Sequence, residues 1–264
     1  MLNRKERIID RLKSDYYYVT GLGYEVFGVF LQGSQNYQLD YDGSDIDTKC
    51  IVLPSADDII LNKPPVSTTL ILEDNSHIDL KDIRLMWQHF KKQNINYLEI
   101  LFTEFMCIPV EYQPFWLEMR RISEDIAHID NHAAVNCIVG MVLEKQKALC
   151  HPYPTLKDKI EKYGYDNKQL HHIIRCREFL DRYIAGESYA ECLIPRDREA
   201  LIEVKATYKY GLAEAVDIAK AAVLYVVHTK QQYISSHERI IVNETCDIMD
   251  NILVKVLKRY WKAV

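Results

Sequence analysis

Glycine and proline are both scarce in this chain, at 9 and 8 of 264 residues. Turn-rich all-β architectures need more of both, so they are excluded and helix should dominate. The seven cysteines (Cys50, Cys107, Cys137, Cys150, Cys176, Cys192 and Cys246) are odd in number, widely spaced and never in a C-x-x-C pair. That pattern excludes a disulfide framework and a structural zinc site, and it fits reduced thiols in a cytoplasmic protein. Positive charge is not in excess either. Lys and Arg number 33 against 38 Asp and Glu, a formal charge of -5. This argues against a protein that coats nucleic acid along its length and leaves room for a local or end-binding site. No membrane-crossing run is present: the most apolar late stretch, Leu212 to Val227, is interrupted by Glu214, Asp217 and Lys220. Met1 to Arg11 is charged and lacks the apolar core of a secretory leader.

With 48% apolar and 27% charged residues, the chain can bury a full core. Its 18 tyrosines supply amphipathic rings for half-wet surfaces. Apolar periodicity predicts a short helix over 3–13, strands over 24–31 and 46–53, and two more over 67–72 and 76–80 around the turn Glu73-Asp74-Asn75. Helices follow at 82–93, 113–123, 130–150, 166–185 and 196–208. A last one carries apolar pairs every four residues from Ile248 to Trp261. Strand signals end near residue 110. The reading is therefore an α/β (α+β) chain, with a mixed sheet flanked by helices over 1–110 and a helical bundle over 111–264.

The informative stretch is Gly33-Ser34 after the first strand and Ser44-Asp45-Ile46-Asp47 at the start of the second. On a strand, Asp45 and Asp47 point to one face and Ile46 to the other. Two carboxylates about 7 Å apart repel unless a cation lies between them. Mg²⁺ suits such a pair, since it takes oxygen ligands and shares them with phosphates. Gly33 permits close backbone approach to a phosphate, and a helix opening at Ser34 would present free N–H groups to it. Asp79, between Ile78 and Leu80, is the candidate third carboxylate for two-metal phosphoryl chemistry, with Glu73 in reserve. Separately, each half is also compatible with an ordinary turn and a solvated strand edge.

These residues resemble the nucleotidyltransferases of the DNA polymerase β superfamily, in which Gly-Ser, a spacer, Asp-x-Asp and a later Asp recur. Further runs are similar to the branch associated with RNA repair. They are Ser44-Asp45-Ile46-Asp47 with Lys49 and Pro54, Asn94 to Leu101 with Glu99, and Gly164-Tyr165-Asp166-Asn167-Lys168 leading to His171-His172 and Arg175. Where that pattern often has a glycine, this chain has Gln38; Cys50 and Ile95 are further departures.

The resemblance implies a nucleotidyltransferase fold and transfer of a nucleoside monophosphate from an NTP, such as ATP, to a hydroxyl. Asp45, Asp47 and Asp79 would serve as catalytic and metal-binding residues for Mg²⁺, two ions being expected and Mn²⁺ an alternative. Gly33, Ser34, Lys168, His172 and Arg175 would bind the nucleotide. At about 100° per residue, Lys168, His172 and Arg175 fall within about 60° of one another, opposite Leu170, Ile173 and Ile174. That row fits phosphate contact or a solvated helix face. An RNA 3′ end is the leading acceptor, and a protein or small molecule the second. A non-catalytic nucleotide-sensing module is the other class. Glu99 could orient the ligand loop or simply be a buried carboxylate bonded to backbone.

Overall fold

A computed structural model describes residues 3–41, 44–73 and 76–263. In chain order the elements are α1 (Arg4–Gly21), β1 (Glu25–Gln32), β2 (Asp47–Leu53), α2 (Ala56–Ile60), β3 (Ser67–Ile71), β4 (His77–Asp82), α3 (Ile83–Lys91), α4 (Ile95–Leu98), β5 (Met106–Cys107), α5 (Gln113–Arg121) and α6 (Ser123–Ala127). They continue as α7 (Asn131–Ala148), α8 (Lys157–Tyr163), α9 (Asn167–Ile184), α10 (Tyr189–Leu193), α11 (Arg198–Ala206), α12 (Leu212–Ser236) and α13 (Asn243–Ala263). The mixed α/β class expected from the sequence is what forms. Of the expected turn 73–75, residues 74 and 75 lie outside the described residues.

The chain divides into two units. The first comprises Met1–Asn36, Gly43–Ile129 and Val242–Val264; the second comprises Tyr37–Asp42 and Asp130–Ile241. The division therefore falls at 129/130 rather than near 110, and the last helix belongs with the sheet. Aromatic packing explains both shifts. Trp116 of α5 packs on Phe30 of β1, with ring centroids 4.4 Å apart, so α5 covers the sheet. Trp87 of α3 donates its indole N–H to the carbonyl of Met249 in α13 at 2.8 Å, and Trp261 donates to Pro54 at 3.1 Å.

The sheet of the first unit has the order β3-β4-β2-β1-β5, with β2 and β4 parallel and the other pairs antiparallel. β1 is buried along its whole middle, which is why Val26 to Leu31 reads as a near-continuous apolar run. One face carries Val29, Leu31, Cys50, Val52, Ile78 and Leu80 against Ile8, Leu12 and Val19 of α1. Behind it a buried Asp15 accepts from Thr48 at 2.5 Å and from Arg11 at 2.8 Å, tying α1 to β2. β4 alternates, with Ile78 and Leu80 inward, as half-covered strands do.

In the second unit α9 packs against α7, α10, α11 and α12. Asp130 caps α7, accepting from the Ala133 amide at 2.9 Å, and is held by Arg239 at 2.5 Å. Burial opposes ionisation of Asp130, but these bonds outweigh it and hold its carboxyl below the usual range. A depressed folded-state pKa means the contribution is present above the ordinary carboxylate range and is lost as pH falls through the folded value. Arg239→Ala should therefore lower stability near neutral pH, with the difference from wild type closing in acid. Urea melts across pH check this; a gap that persists below Asp130's folded pKa would show that the arginine acts through packing.

Candidate active site

β1 ends at Gln32, and Gly33-Ser34-Gln35 makes a single 3-10 turn. Gly33 has φ +77, the left-handed region. A Cβ built on it would lie 3.1 Å from Oδ2 of Asp47, so the Asp47 carboxylate rests against a bare Cα. The Gly33 N–H donates to Glu99 Oε2 at 3.0 Å, and Asn36 donates its side-chain amide to the Glu99 carbonyl at 3.3 Å. Glu99 is only 3% exposed. From the other side Arg4 donates to the Gln35 carbonyl at 2.8 Å. Glu99 is thus the buried carboxylate bonded to backbone that the sequence allowed, and the amide it accepts from belongs to the glycine turn. The expected helix opening at Ser34 is one short turn instead, and its first amide, that of Gly33, already faces a carboxylate.

Strand register places the charged residues. Gln32 pairs with Asp47 and Phe30 with Lys49 across β1 and β2; Lys49 pairs with Asp79 across the parallel β2 and β4. Paired and alternate residues share a face, so Asp47, Lys49, Asp79 and Lys81 leave the same side of the sheet. Ile46 packs into the cluster on the opposite, α1 side. Asp45 is exposed and precedes β2, which starts at Asp47.

Asp79 is engaged by two lysines: Oδ1 by Lys81 at 3.0 Å and Oδ2 by Lys49. Lys49 also stands 4.2 Å above the Tyr97 ring, and His89 stacks on that ring with centroids 3.8 Å apart. Burial first, then the nearby Lys92, Lys49 and Lys81, pull the His89 pKa down. Among the described residues, no three His, Cys, Asp or Glu are gathered to hold a metal ion. The oxygen donors of Asp45 and Asp47 suit Mg²⁺. Asp79 does not fit that role as it stands, because ammonium groups hold both of its oxygens. Glu73, the reserve, is exposed in the turn after β3.

The second unit treats its three expected residues differently. Lys168 is exposed, His172 half-buried, and Arg175 only 2% exposed. α9 is covered by neighbours around most of its girth, so the expected open basic face is not formed at Arg175. Its guanidinium lies 4.1 Å over the Tyr37 ring. Lys205 donates to the Leu39 carbonyl at 3.2 Å, and Arg198 donates to the Gln38 side chain. These basic groups hold the segment that follows the glycine turn in sequence. Gln38 sits at φ 59, where the family pattern often has a glycine. Burial, then Arg175, hold the His172 pKa well below its ordinary value, so its imidazole is neutral near pH 7. His171 bonds to the Leu201 carbonyl at 2.9 Å and is pushed down to about 3 by burial.

Lys49 and Lys81 are the residues that sequence reasoning passed over as Asp79 partners. A signal existed: Asp47-Thr48-Lys49 and Asp79-Leu80-Lys81 repeat the same Asp-x-Lys spacing on two strands.

No protein-family model matches this chain, and no curated protein does. Among solved structures it is similar to a nucleotidyltransferase-like protein from Exiguobacterium sibiricum, at 10% identity over 83% of this chain and 74% of that chain, with a TM-score of 0.31. A likeness that weak assigns nothing, and the functional reading stands on this chain's own residues.

Gly33→Ala should destabilise by about 1–2 kcal/mol through its left-handed backbone. Gly21→Ala, with open space around it, should be neutral or slightly stabilising. Denaturant melts of the pair check this, and equal effects would remove the turn's special role. Arg175→Glu should cost about 3 kcal/mol or more, since it buries a reversed charge. Lys168→Glu should stay within about 0.5 kcal/mol. Thermal melts showing both variants unaffected would contradict the burial of Arg175.

Proposed function

We propose that this chain is a template-independent nucleotidyltransferase that moves a nucleoside monophosphate from an NTP to a hydroxyl acceptor and releases pyrophosphate. The observation that carries the reading is the Asp47 carboxylate seated against Gly33, with Asp79 on the same sheet face one strand away. Gly33, having no Cβ, lets the Asp47 carboxylate lie against the turn. Asp45 and Asp47 would hold Mg²⁺, with Mn²⁺ as a substitute, and Asp79 would join them once its lysines are drawn off. When bound, the cation would neutralise triphosphate charge and lower the pKa of the attacking hydroxyl. Asp79 would accept the proton of that hydroxyl. Glu99 would fix the turn through the Gly33 amide. Ser34 is the proposed phosphate contact within the first unit; in the second, Arg175 orders Tyr37.

An RNA 3′ end is the proposed acceptor, by the sequence resemblance, and a protein or small-molecule hydroxyl is the second class. A cytoplasmic site of action is proposed from the thiol pattern; among the described residues no helix is long and apolar enough to cross a membrane. One observation favours a different reading, a nucleotide-sensing module without turnover: the lysines on Asp79 neutralise the third carboxylate.

Incubation with labelled NTPs, Mg²⁺ and total RNA separates the two. Label in acid-insoluble material with pyrophosphate release is the expected result. Nucleotide binding without pyrophosphate release would replace transfer by sensing. Asp47→Asn should abolish incorporation by orders of magnitude while leaving the melting temperature unchanged or slightly raised. A large stability loss with activity per folded molecule retained would mean that Asp47 is structural.

A further inference from the structure

The two edges of the sheet are unequal. β5 is only two residues long, and Pro109 soon follows it. β3 is the open edge. Ser67, Thr68, Thr69 and Ile71 are exposed, Ile71 at 67%. Its register on β4 runs without a bulge from Ser67 to Ile71, and the strand contains no proline and no charged side chain. Natural sheets blunt their edges with lysine, proline, a bulge or a very short strand. β5 is blunted by its shortness; β3 is not blunted.

Hydrogen-bond parity fixes which backbone groups this edge offers. Asp82 donates to the Val66 carbonyl at 2.8 Å, and Leu72 donates to the Ser76 carbonyl at 2.9 Å. Bonded pairs alternate along an antiparallel ladder, so Val66, Thr68, Leu70 and Leu72 turn their backbone groups to β4. The N–H and C=O groups of Ser67, Thr69 and Ile71 face outward, and the backbone of no described residue takes them up. Side chains alternate too. Val66, Leu70 and Leu72 pack on the α1 side of the sheet, and Ser67, Thr69 and Ile71 lie on the other.

We infer that β3 is a self-association edge: two copies of this chain pair antiparallel through it, about a two-fold axis at Thr69, and join their sheets into one. In that register Thr69 meets Thr69 of the second copy and Ser67 meets Ile71, so every outward N–H finds an outward C=O. On the α1 side Val66 meets Leu72 and Thr68 meets Leu70, which carries the apolar cluster across the axis. The paired residues bring no charge against one another; Lys63 and Glu73 lie beyond them, exposed. An uncharged edge rich in β-formers favours an equally uncharged strand, and β3 is itself such a strand. Each copy has one open edge, so association closes at the dimer instead of growing into a filament. One strand a side falls well short of the about 20–30 residues of a stable interface, so the dimer is weak and forms at high concentration.

Sedimentation equilibrium of the full chain, from about 1 μM to about 1 mM, should show the mass rising from 31.0 kDa towards its double. Thr69→Pro removes an outward N–H and no bond to β4, so it should melt near wild type and stay monomeric. Thr68→Pro removes an inward N–H and should melt lower, which checks the parity. Thr69→Cys sets two thiols across the axis on backbones about 5.5 Å apart, within disulfide reach. Mild oxidation should cross-link it several-fold faster than wild type or Thr68→Cys, a readout that stands even if Thr69→Pro does not fold. A mass of 31.0 kDa at every concentration would leave the edge to another chain and overturn the inference, and a mass beyond the double would overturn the two-fold closure. Undiminished self-association of folded Thr69→Pro would place the contact on another surface. Equal cross-linking of Thr68→Cys and Thr69→Cys would refute the register.

Discussion

β1 is covered on both faces, and the arrangement of the first unit follows from that. α1 seals one side with Ile8, Leu12 and Val19, and Trp116 seals the other through Phe30. A strand so enclosed has no place for charge along its length. Polarity is confined to its ends and to the strands beyond it. The chain turns polar at Gln32, and Gly33 then lets Asp47 come in close. Polar groups collect at this strand end because the packing leaves them nowhere else on β1.

Charge in the first unit is managed by pairing rather than by exposure. Glu99 is buried against an amide, Asp15 against Thr48 and Arg11, and Asp79 against two lysines. Each such group costs several kcal/mol if left alone, so its partner is as much a part of the design as the group itself. In the second unit the same economy governs Arg175, which is stacked on Tyr37, and Asp130, which is fixed by Arg239. Basic residues on α9 and α11 are thereby committed to the segment around Tyr37 and Leu39.

Local pattern made much of this legible. The strands containing Val29, Cys50 and Ile78 were readable from runs of β-formers, and α9 from its helical spacing. The Gly33 turn and the Asp45–Asp47 pair were readable because they lie within fifteen residues of one another. What stayed hidden depends on contacts far apart in sequence. The Lys49–Asp79 pair needs the parallel register of β2 on β4, and no local signal sets that register. The burial of Arg175 needs Tyr37 to return to α9, so a row of basic residues on a helical wheel looked like a solvated face. The place of α13 with the sheet hangs on Trp87 meeting Met249, 162 residues later. Gln38 was visible as a departure from the family pattern, but its left-handed backbone and its bond to Arg198 were not.

The division of the first unit into three stretches of chain bears on the order in which it can form during synthesis. Its sheet is complete once Cys107 has emerged, yet α13 contributes the carbonyl for Trp87, the carboxylate for Lys91 and the indole that reaches Pro54. Until those residues leave the ribosome, α3 keeps part of its apolar side in water. At about 5–20 residues per second, the growing chain spends several seconds making the whole of the helical unit in that condition. The helical unit, rich in local contacts, can fold during this interval. What waits for the last helix is the cover over α3, a contact that closes a long loop.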